Sequence, residues 1–194
     1  QQNEVLNLSR TSLSNAQRIA KLGSWDWPIQ NKTFYWSKEL YRIFGLEEHK
    51  LKAHYDSFLD AIHPEDRQLV DKTLQHAQED KEAFVIEARV LQPRNIIRYV
   101  KIRGEVMTNE DGATIMSGTV LDITERKAAE RELQKLFQAF ENSPITIMTT
   151  DLKGTIEYVN PCFTQTTGYQ SEEVIGLNPN ILKTGYTSDA EYKE

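Results

Sequence analysis

An internal repeat is the feature of this sequence that most limits how the chain can fold. The block YWSKELYRIFGL at 35–46 and the block YVNPCFTQTTGY at 158–169 keep a tyrosine, an apolar residue and a glycine at matching positions. Each block follows a polar, helix-like segment, at 1–21 and at 124–141. The two blocks begin 123 residues apart, at 35 and at 158. A repeat of this length indicates tandem globular domains, because solenoid repeats are several-fold shorter.

The composition excludes several function classes. Apolar residues make up 39% and charged residues 27% of the chain, as in ordinary folded domains. The net charge is −6 and no basic stripe is present, so nucleic acid is not expected as a partner. A single cysteine, Cys162, leaves no disulfide framework and no thiolate zinc site. No apolar run approaches the roughly 18 residues of a membrane span, so we expect no membrane contact within this stretch.

The first copy changes between strand-like and helix-like segments. Trp25 and Trp27 alternate with polar residues, which indicates a strand with one aromatic face. Ser37 has the position of a helix N-cap, and HPED at 63–66 places a proline and two carboxylates in the first turn of a longer helix. Two strands with alternating apolar residues follow, at 82–90 and 98–106, and a third strand is expected at 114–121.

This order of elements predicts an α+β fold with an antiparallel sheet. A hairpin turn with the favoured Asp-Gly pair is expected at 109–112. The last strand is apolar on both faces, with Ile115 and Leu121 opposed to Met116 and Val120. Such a strand is expected to be covered on both sides.

The stretch 118–137 runs from this strand into a charged helix with no loop residue between them. Asp122 and Glu125 have the spacing of a capping box. In this motif the side chain of the cap residue accepts from the N–H three residues ahead, and the side chain of that later residue accepts from the N–H of the cap. Beyond it, an apolar seam with coiled-coil spacing is formed by Ala129, Leu133, Leu136 and Phe140. A lone helix of this length is marginal in water, so it either needs a partner helix or packs on its own domain.

These motifs resemble those of PAS domains. In the first copy the matching segments are GSWDW at 23–27, HPED at 63–66, RYVKIRGEV at 98–106 and GTVLDITERK at 118–127. Tyr99 stands where the family usually has tryptophan. In the second copy the segment ENSPITIMTTDLKGTIEYVNP from 141 onward resembles a common PAS opening.

The resemblance implies a five-stranded antiparallel sheet with short helices on one face, flanked by amphipathic, coiled-coil-like linker helices. We therefore expect four segments: an N-terminal helix at 1–21, a first PAS domain at 22–124, a signalling helix at 125–141 and the first part of a second PAS domain at 142–194. On the repeat alignment, the second copy is expected to lack three of its five strands.

The resemblance also implies a sensory and dimerisation module of a two-component or cyclic-di-nucleotide signalling protein. In family terms Asp122, Ile123 and Thr124 match the junction between the sheet and the signalling helix. The output domain would be a histidine kinase or a diguanylate cyclase, and the chain itself is expected to be regulatory rather than an enzyme. We expect it in the cytoplasm, alone or as the cytosolic part of a membrane-anchored sensor.

The family pocket lies between the inner sheet face and the short helices. Residues expected to line it in the first copy are Trp25, Trp27, Trp36, Leu40, Phe44, Phe58, Ile62, Phe84, Ile86, Val100 and Ile102. Side chains this large also predict a filled core with little or no pocket. Two functions therefore stay open: a module that senses a small ligand, and a cofactor-free module that relays a signal as a homodimer through its linker helices and outer sheet face.

Cofactors are expected to be absent from the first copy. His63 and His76 lie on or near the helix that carries the haem ligand in haem-binding relatives, but His63 belongs to a capping turn and His76 to a polar segment. In the second copy Asn178 and Asn180 match a segment that flavin-binding PAS domains use, so flavin is the alternative there. Pro179 stands where light-sensing members have a reactive cysteine, which excludes a thiol adduct at this position.

Overall fold

A computed structural model of the chain shows two compact units, Gln1–Lys127 and Ala128–Glu194. The described residues fall in four stretches: 2–30, 34–48, 53–108 and 113–183. The hairpin turn predicted at 109–112 lies outside them. Within these stretches, no helix is long and apolar enough to cross a membrane.

The first unit contains the predicted sheet. Its elements in chain order are α1 (Gln2–Ile19), β1 (Leu22–Pro28), β2 (Tyr35–Trp36), α2 (Lys38–Phe44), α3 (Tyr55–Ala61), α4 (Pro64–Asp80), β3 (Phe84–Gln92), a 3-10 turn (Pro93–Asn95), β4 (Ile96–Thr108), β5 (Thr114–Asp122) and α5 (Thr124–Glu141), which ends in the second unit. The strands pair antiparallel in the order β2-β1-β5-β4-β3. The predicted α+β class with a five-stranded antiparallel sheet is confirmed.

Side-chain caps fix the ends of the short helices. The Ser37 hydroxyl accepts a hydrogen bond from the Leu40 N–H at 3.3 Å, as predicted for an N-cap. Gly45 ends α2 with a left-handed φ of 69°, a conformation that costs glycine little. The Gln92 side-chain amide donates to the Ile43 carbonyl at 2.7 Å, so β3 holds the end of α2.

The first turn of α4 is tied to the edge strand β3 by a carboxylate. Asp66 Oδ2 accepts hydrogen bonds from the Arg89 N–H at 2.8 Å and from Arg89 Nε at 2.9 Å, and Asp66 Oδ1 pairs with the guanidinium at 2.6 Å. These hydrogen bonds from Arg89 lower the pKa of Asp66 below its ordinary value. The ion pair is mostly shielded from solvent and joins the helical layer to the sheet.

We expect this pair to make the stability of the first unit depend on pH. Because the pKa of Asp66 is lower in the folded state, its contribution is complete above its unfolded pKa of about 3.9 and is lost as the pH falls through the folded value. Urea unfolding at pH 7 should show the wild-type chain to be more stable than Asp66→Asn. The difference should narrow at pH 3, and an unchanged difference would contradict the assignment.

The inner face of the sheet follows the predicted alternation. Phe84, Ile86, Ala88 and Val90 alternate with more exposed residues along β3. Residues of β4 pair with them, and residues of β5 pair with those of β4. On the outer face Ile115 and Leu121 are half-buried, whereas Val85 is 59% exposed. Helix α1 contacts β1 and α2.

The second unit contains a smaller sheet and core. Its elements after α5 are β6 (Met148–Thr150), β7 (Ile156–Val159), α6 (Pro161–Thr167), α7 (Ser171–Val174) and a 3-10 helix (Pro179–Leu182). The two strands pair antiparallel, and the Asp151 carboxylate closes their turn by accepting from the Lys153 and Thr155 N–H groups. The buried apolar residues of this unit form one cluster: Ile156, Val159, Phe163 and Val174.

Candidate functional site

A row of aromatic rings and glycines crosses the inner face of the first sheet. Trp36, Trp25, Gly118, Gly104 and Phe84 are successive partners from β2 to β3. A Cβ on Gly118 would lie 2.5 Å from the Trp25 ring, and one on Gly104 would lie 2.6 Å from the Phe84 ring. The two glycines therefore form a trough in the sheet that the aromatic rings fill.

The aromatic layer continues from this trough towards the helices. Phe34 stacks on Trp27 with ring centroids 5.1 Å apart and on Phe58 at 5.8 Å. Phe58 in turn packs against Phe44 at 5.6 Å, and Trp36 meets Phe44 edge-on at 5.3 Å. Offset and edge-to-face contacts at these distances stabilise an interior beyond the area they bury.

All residues predicted to line a pocket lie in this one core. Those that are buried are Trp25, Trp27, Leu40, Phe44, Phe58, Ile62, Val100 and Ile102, and those packed against it from its margin are Trp36, Phe84 and Ile86. The sequence prediction omitted Phe34, Met116 and Val120, which are also buried there. Met116 and Val120 could have been found from their alternation in β5, once its register against β4 was known.

Three polar atoms in this core lack a partner. The indole N–H groups of Trp25, Trp27 and Trp36 are buried without a hydrogen-bond acceptor among the described residues. A buried donor left unpaired costs about 1–3 kcal/mol, so each of these groups is a position where an acceptor would be favourable.

The two histidines considered as haem ligands lie at the N-cap and in the body of α4. His63 Nδ1 accepts a hydrogen bond from the Glu65 N–H at 3.4 Å, and His76 is exposed on α4. Within the part of the chain that the structure describes, no cluster of three His, Cys, Asp or Glu side chains could hold a metal ion.

The junction between β5 and α5 is closed by side-chain hydrogen bonds. Asp122 Oδ1 accepts from the Thr124 N–H at 2.9 Å and from the Thr124 hydroxyl. The same hydroxyl oxygen accepts from the Tyr99 N–H at 3.0 Å, and the Ile123 N–H donates to the Tyr99 carbonyl at 2.8 Å. Asp122, Ile123 and Thr124 are thus brought together, and β4 holds them through Tyr99.

The predicted capping box at this junction is wrong. The Asp122 carboxylate accepts from the N–H of Thr124, two residues ahead, and not from that of Glu125. The Asp122 N–H donates to the Lys21 carbonyl at 3.0 Å. Glu125 pairs with the Lys21 ammonium instead of reaching back to Asp122. The reason is that Asp122 is still paired with Val100 in the sheet, so it makes an Asx-type turn rather than a helix cap.

Ion pairs add a second layer of contacts at the start of α5. The Glu87 carboxylate on β3 binds Lys127 at 2.7 Å and Arg126 at 3.7 Å. Hydrogen bonding to Lys127 lowers the pKa of Glu87. Arg98 on β4 lies 3.6 Å from the Asp122 carboxylate. Sequence reasoning missed these partners because they come from strands distant in the chain.

The seam of α5 is exposed. No residue of this helix is buried, and Leu133, Leu136 and Phe140 are 68%, 50% and 49% exposed. Ala129 is exposed as well. The structure therefore leaves the seam without a covering element among the described residues.

The candidate flavin residues of the second unit lie at its 3-10 helix. Asn178 Oδ1 accepts from the Asn180 N–H at 3.0 Å, and Asn178 Nδ2 donates to the Gly154 carbonyl at 3.2 Å. Asn180 is exposed. The Cys162 thiol donates to the Pro144 carbonyl at 3.2 Å and lies on α6, away from these residues in sequence.

Comparison with protein families identifies both halves of the chain. A family described as PAS fold matches residues 33–120, and one described as PAS domain matches residues 134–191. Together the two matches span about three quarters of the chain. The chain belongs to the PAS family. The PAS fold match contains most of the aromatic core and ends just before Asp122.

Curated relatives of this PAS chain are signalling proteins. A probable diguanylate cyclase, DgcE of Escherichia coli (strain K12), is 22% identical over 187 residues, which cover 90% of this chain and 17% of that protein. The sensor protein FixL of Bradyrhizobium diazoefficiens is 28% identical over 166 residues, covering 83% of this chain and 33% of that protein. The chain thus spans a third or less of the length of these relatives.

Solved PAS structures have the same fold. A sensory box histidine kinase/response regulator from Burkholderia thailandensis is 29% identical with a TM-score of 0.53, covering 65% of this chain and 95% of that one. The N-terminal domain of a diguanylate cyclase with PAS/PAC sensor from Marinobacter aquaeolei has a TM-score of 0.50 at 18% identity, covering 55% of this chain and 98% of that one. As a PAS segment, the chain has a sensory or regulatory role.

Proposed function

We propose that this chain relays a conformational signal through its linker helices to an output domain. The first PAS domain would span 22–124, the signalling helix 125–141 and the first part of the second PAS domain 142–194, with the helix at 1–21 as the input side. The observation that carries the proposal is the bonding of Asp122 and Thr124 to β4, because it leaves no flexible residue between sheet and helix. A change in the sheet would reach α5 directly.

The output domain of the complete protein would be a histidine kinase or a diguanylate cyclase. Relatives named for each of these activities support both choices. The chain itself would regulate that activity and carry no catalysis of its own. We place the protein in the cytoplasm or on the cytosolic side of a membrane-anchored sensor.

The packed interior favours relay over the sensing of a large cofactor in the first domain. The Trp25 ring lies where a planar ligand on the inner sheet face would lie, against Gly104 and Gly118. A haem or flavin in this position would have to displace several of the rings that pack on Trp25 and Phe34. The protein would therefore work in this domain without a coloured cofactor.

A small ligand that accepts hydrogen bonds is the second candidate function. Three buried indole N–H groups favour it, because the part of the chain that the structure describes offers them no acceptor. Denaturing extraction of the purified protein followed by mass spectrometry tests this alternative directly. A stoichiometric small molecule with carbonyl, carboxylate or hydroxyl oxygens would support sensing, and its absence would leave the cofactor-free relay.

Flavin binding by the second domain is a further alternative, to which Asn178 and Asn180 would contribute. The Asn178 amide already bonds to the Asn180 N–H and the Gly154 carbonyl, so flavin would have to replace these contacts. An absorption spectrum with flavin bands in the purified protein would support it.

The relay proposal is tested at the junction. Asp122→Ala removes the acceptor for Thr124 and the partner of Arg98. It should lower the free energy of unfolding by about 1.5–3 kcal/mol, the usual contribution of a hydrogen bond to a charged group. In the complete protein the same change should uncouple input from output. Asp26→Ala is the matched control, because Asp26 is an exposed acid in β1. It should change neither the free energy of unfolding nor the regulation of the output domain. Regulation that survives Asp122→Ala unaltered would refute the relay.

We further propose that the chain forms a parallel homodimer through α5, α1 or both, with the outer sheet face contributing. Exposed apolar residues on both helices support this: Val5, Leu8, Leu13, Leu133, Leu136 and Phe140. Burial of each could contribute about 1.5–3 kcal/mol, before the cost of association.

Light scattering at micromolar concentration should show a dimer for the wild-type chain and a monomer for Leu136→Asp if α5 is the main contact. Leu152→Asp is the control, because Leu152 is fully exposed in a turn of the second unit. A wild-type monomer would refute the dimer.

A further inference from the structure

Asn160 is the most buried polar side chain among the described residues of the second PAS domain. It is 1% exposed and its amide makes four hydrogen bonds. Oδ1 accepts from the Ile147 N–H at 2.9 Å and from the Phe163 N–H at 3.1 Å. Nδ2 donates to the Ile145 carbonyl at 2.9 Å and to the Phe140 carbonyl at 3.1 Å. One side chain therefore connects α5, the segment before β6 and α6.

The bond to Phe140 reaches the last turn of α5, where backbone carbonyls lack helical partners. A neighbouring residue strengthens this contact. The Tyr158 hydroxyl donates to the Glu141 carboxylate at 2.6 Å, and the Tyr158 ring lies 6.0 Å from the ring of Phe137. Alternate residues of the β7 segment thus hold the carboxyl end of α5.

Helix capping alone does not explain this arrangement. A residue that caps α6 needs only an oxygen that accepts from the Phe163 N–H, which serine provides as well as asparagine. The amide donors of Asn160 serve the chain before β6 instead. If α5 shifted along or about its axis, one buried N–H of the Asn160 amide would lose its acceptor, which is costly inside a protein. The Phe140 carbonyl would keep only its contact with the Ser143 N–H at 3.3 Å.

We propose that Asn160 is a positioning residue that locks the carboxyl end of α5 to the second PAS domain, so that movement of α5 is passed into the core of that domain. This inference rests on the proposed relay function and specifies how the signal leaves the helix.

Hydrogen exchange of the 194-residue chain tests the lock. Asn160→Ser keeps the α6 cap but cannot reach Phe140, so exchange of the Asn142 and Ser143 amides in the final turn should become about tenfold faster. Asn178→Ser is the matched control, since Asn178 caps the 3-10 helix and bonds to Asn180 and Gly154 rather than to α5. It should leave both amides within twofold of the wild-type rate. Unchanged exchange in Asn160→Ser would overturn the proposal.

The transfer of movement from α5 to the core of the second domain is measured by hydrogen exchange at two backbone amides, those of Ile156 and Gly176. The Ile156 N–H donates to the Leu177 carbonyl and the Gly176 N–H to the Ile156 carbonyl. Thr124→Ala, which loosens the other end of α5, should speed exchange at both amides in the wild-type and Asn178→Ser backgrounds. In the Asn160→Ser background it should have no effect.

The outcomes separate the two proposals. If Thr124→Ala has no effect on Ile156 and Gly176 in any background, the relay itself fails. If its effect persists in Asn160→Ser, the relay stands and the role of Asn160 is refuted. Should the serine variant unfold the second domain, Asn160→Thr gives the same comparison, because its hydroxyl oxygen can also cap α6 and its side chain has no amide donor to reach Phe140.

Discussion

Alanine at position 118 is expected to lower the free energy of unfolding of the first PAS domain by about 3 kcal/mol, the upper end of the usual cost of overpacking. The added Cβ would lie 2.1 Å from the Arg103 carbonyl oxygen and 2.5 Å from the Trp25 ring. The first of these atoms is backbone in the adjacent strand and cannot move aside as a side chain could. The sheet or the indole must therefore shift.

Urea unfolding followed by tryptophan emission measures this effect, because all three tryptophans lie in the first unit. Ser117→Ala is the control, since its side chain lies on the opposite face of the same strand and is half-buried. It should change stability by less than about 0.5 kcal/mol. If Gly118→Ala unfolds at the wild-type urea concentration, the close approach of Trp25 to the sheet is wrong.

The sheet could be predicted because its strands carry their own signal. Alternating apolar residues in β3 and β4 identify the inward side, and a strand faces the core with every second residue whatever its neighbours are. The helix starts at Ser37 and Pro64 were also predictable, because a cap or an N-terminal proline acts over only a few residues.

The register between strands carries no comparable local signal. Gly104 belongs to the alternating inward set, but its close contact with the Phe84 ring follows only from its pairing with Phe84 on β3. The same limit explains the error at Asp122. Its spacing from Glu125 fits a capping box, yet strand pairing with Val100 extends β5 by one residue and turns the carboxylate towards Thr124.

The candidate site, like the sheet, could be predicted from the sequence only in part. Its apolar members are recognisable as one inner face, so the residues predicted to line a pocket lie together in the core. Whether that core contains space depends on how rings interlock, which composition does not specify. The ties from Lys21, Glu87 and Arg98 to the junction depend on long-range contacts between surface charges.

Replacement of Trp25 by alanine should have the largest effect of any single change in the aromatic core. The Trp25 ring is 1% exposed and lies 5.9 Å from the ring of Phe34, 6.3 Å from that of Phe58 and 6.4 Å from that of Phe84. Loss of a buried tryptophan costs about 3–5 kcal/mol, because the cavity left behind collapses only in part. Removal of its unpaired N–H offsets a fraction of this loss.

The cavity in Trp25→Ala should bind free indole, which has the shape of the missing side chain. At ten times its dissociation constant, indole would restore about 1.4 kcal/mol of stability. Circular dichroism is the suitable measurement, since added indole emits in the tryptophan range. Trp36→Ala is the control: Trp36 is only half-buried on the edge strand β2, so its removal leaves an open site that should cost less and gain nothing from indole. A wild-type stability for Trp25→Ala, or equal rescue of both variants by indole, would show that the first domain is not packed around Trp25 and would favour a ligand pocket in its place.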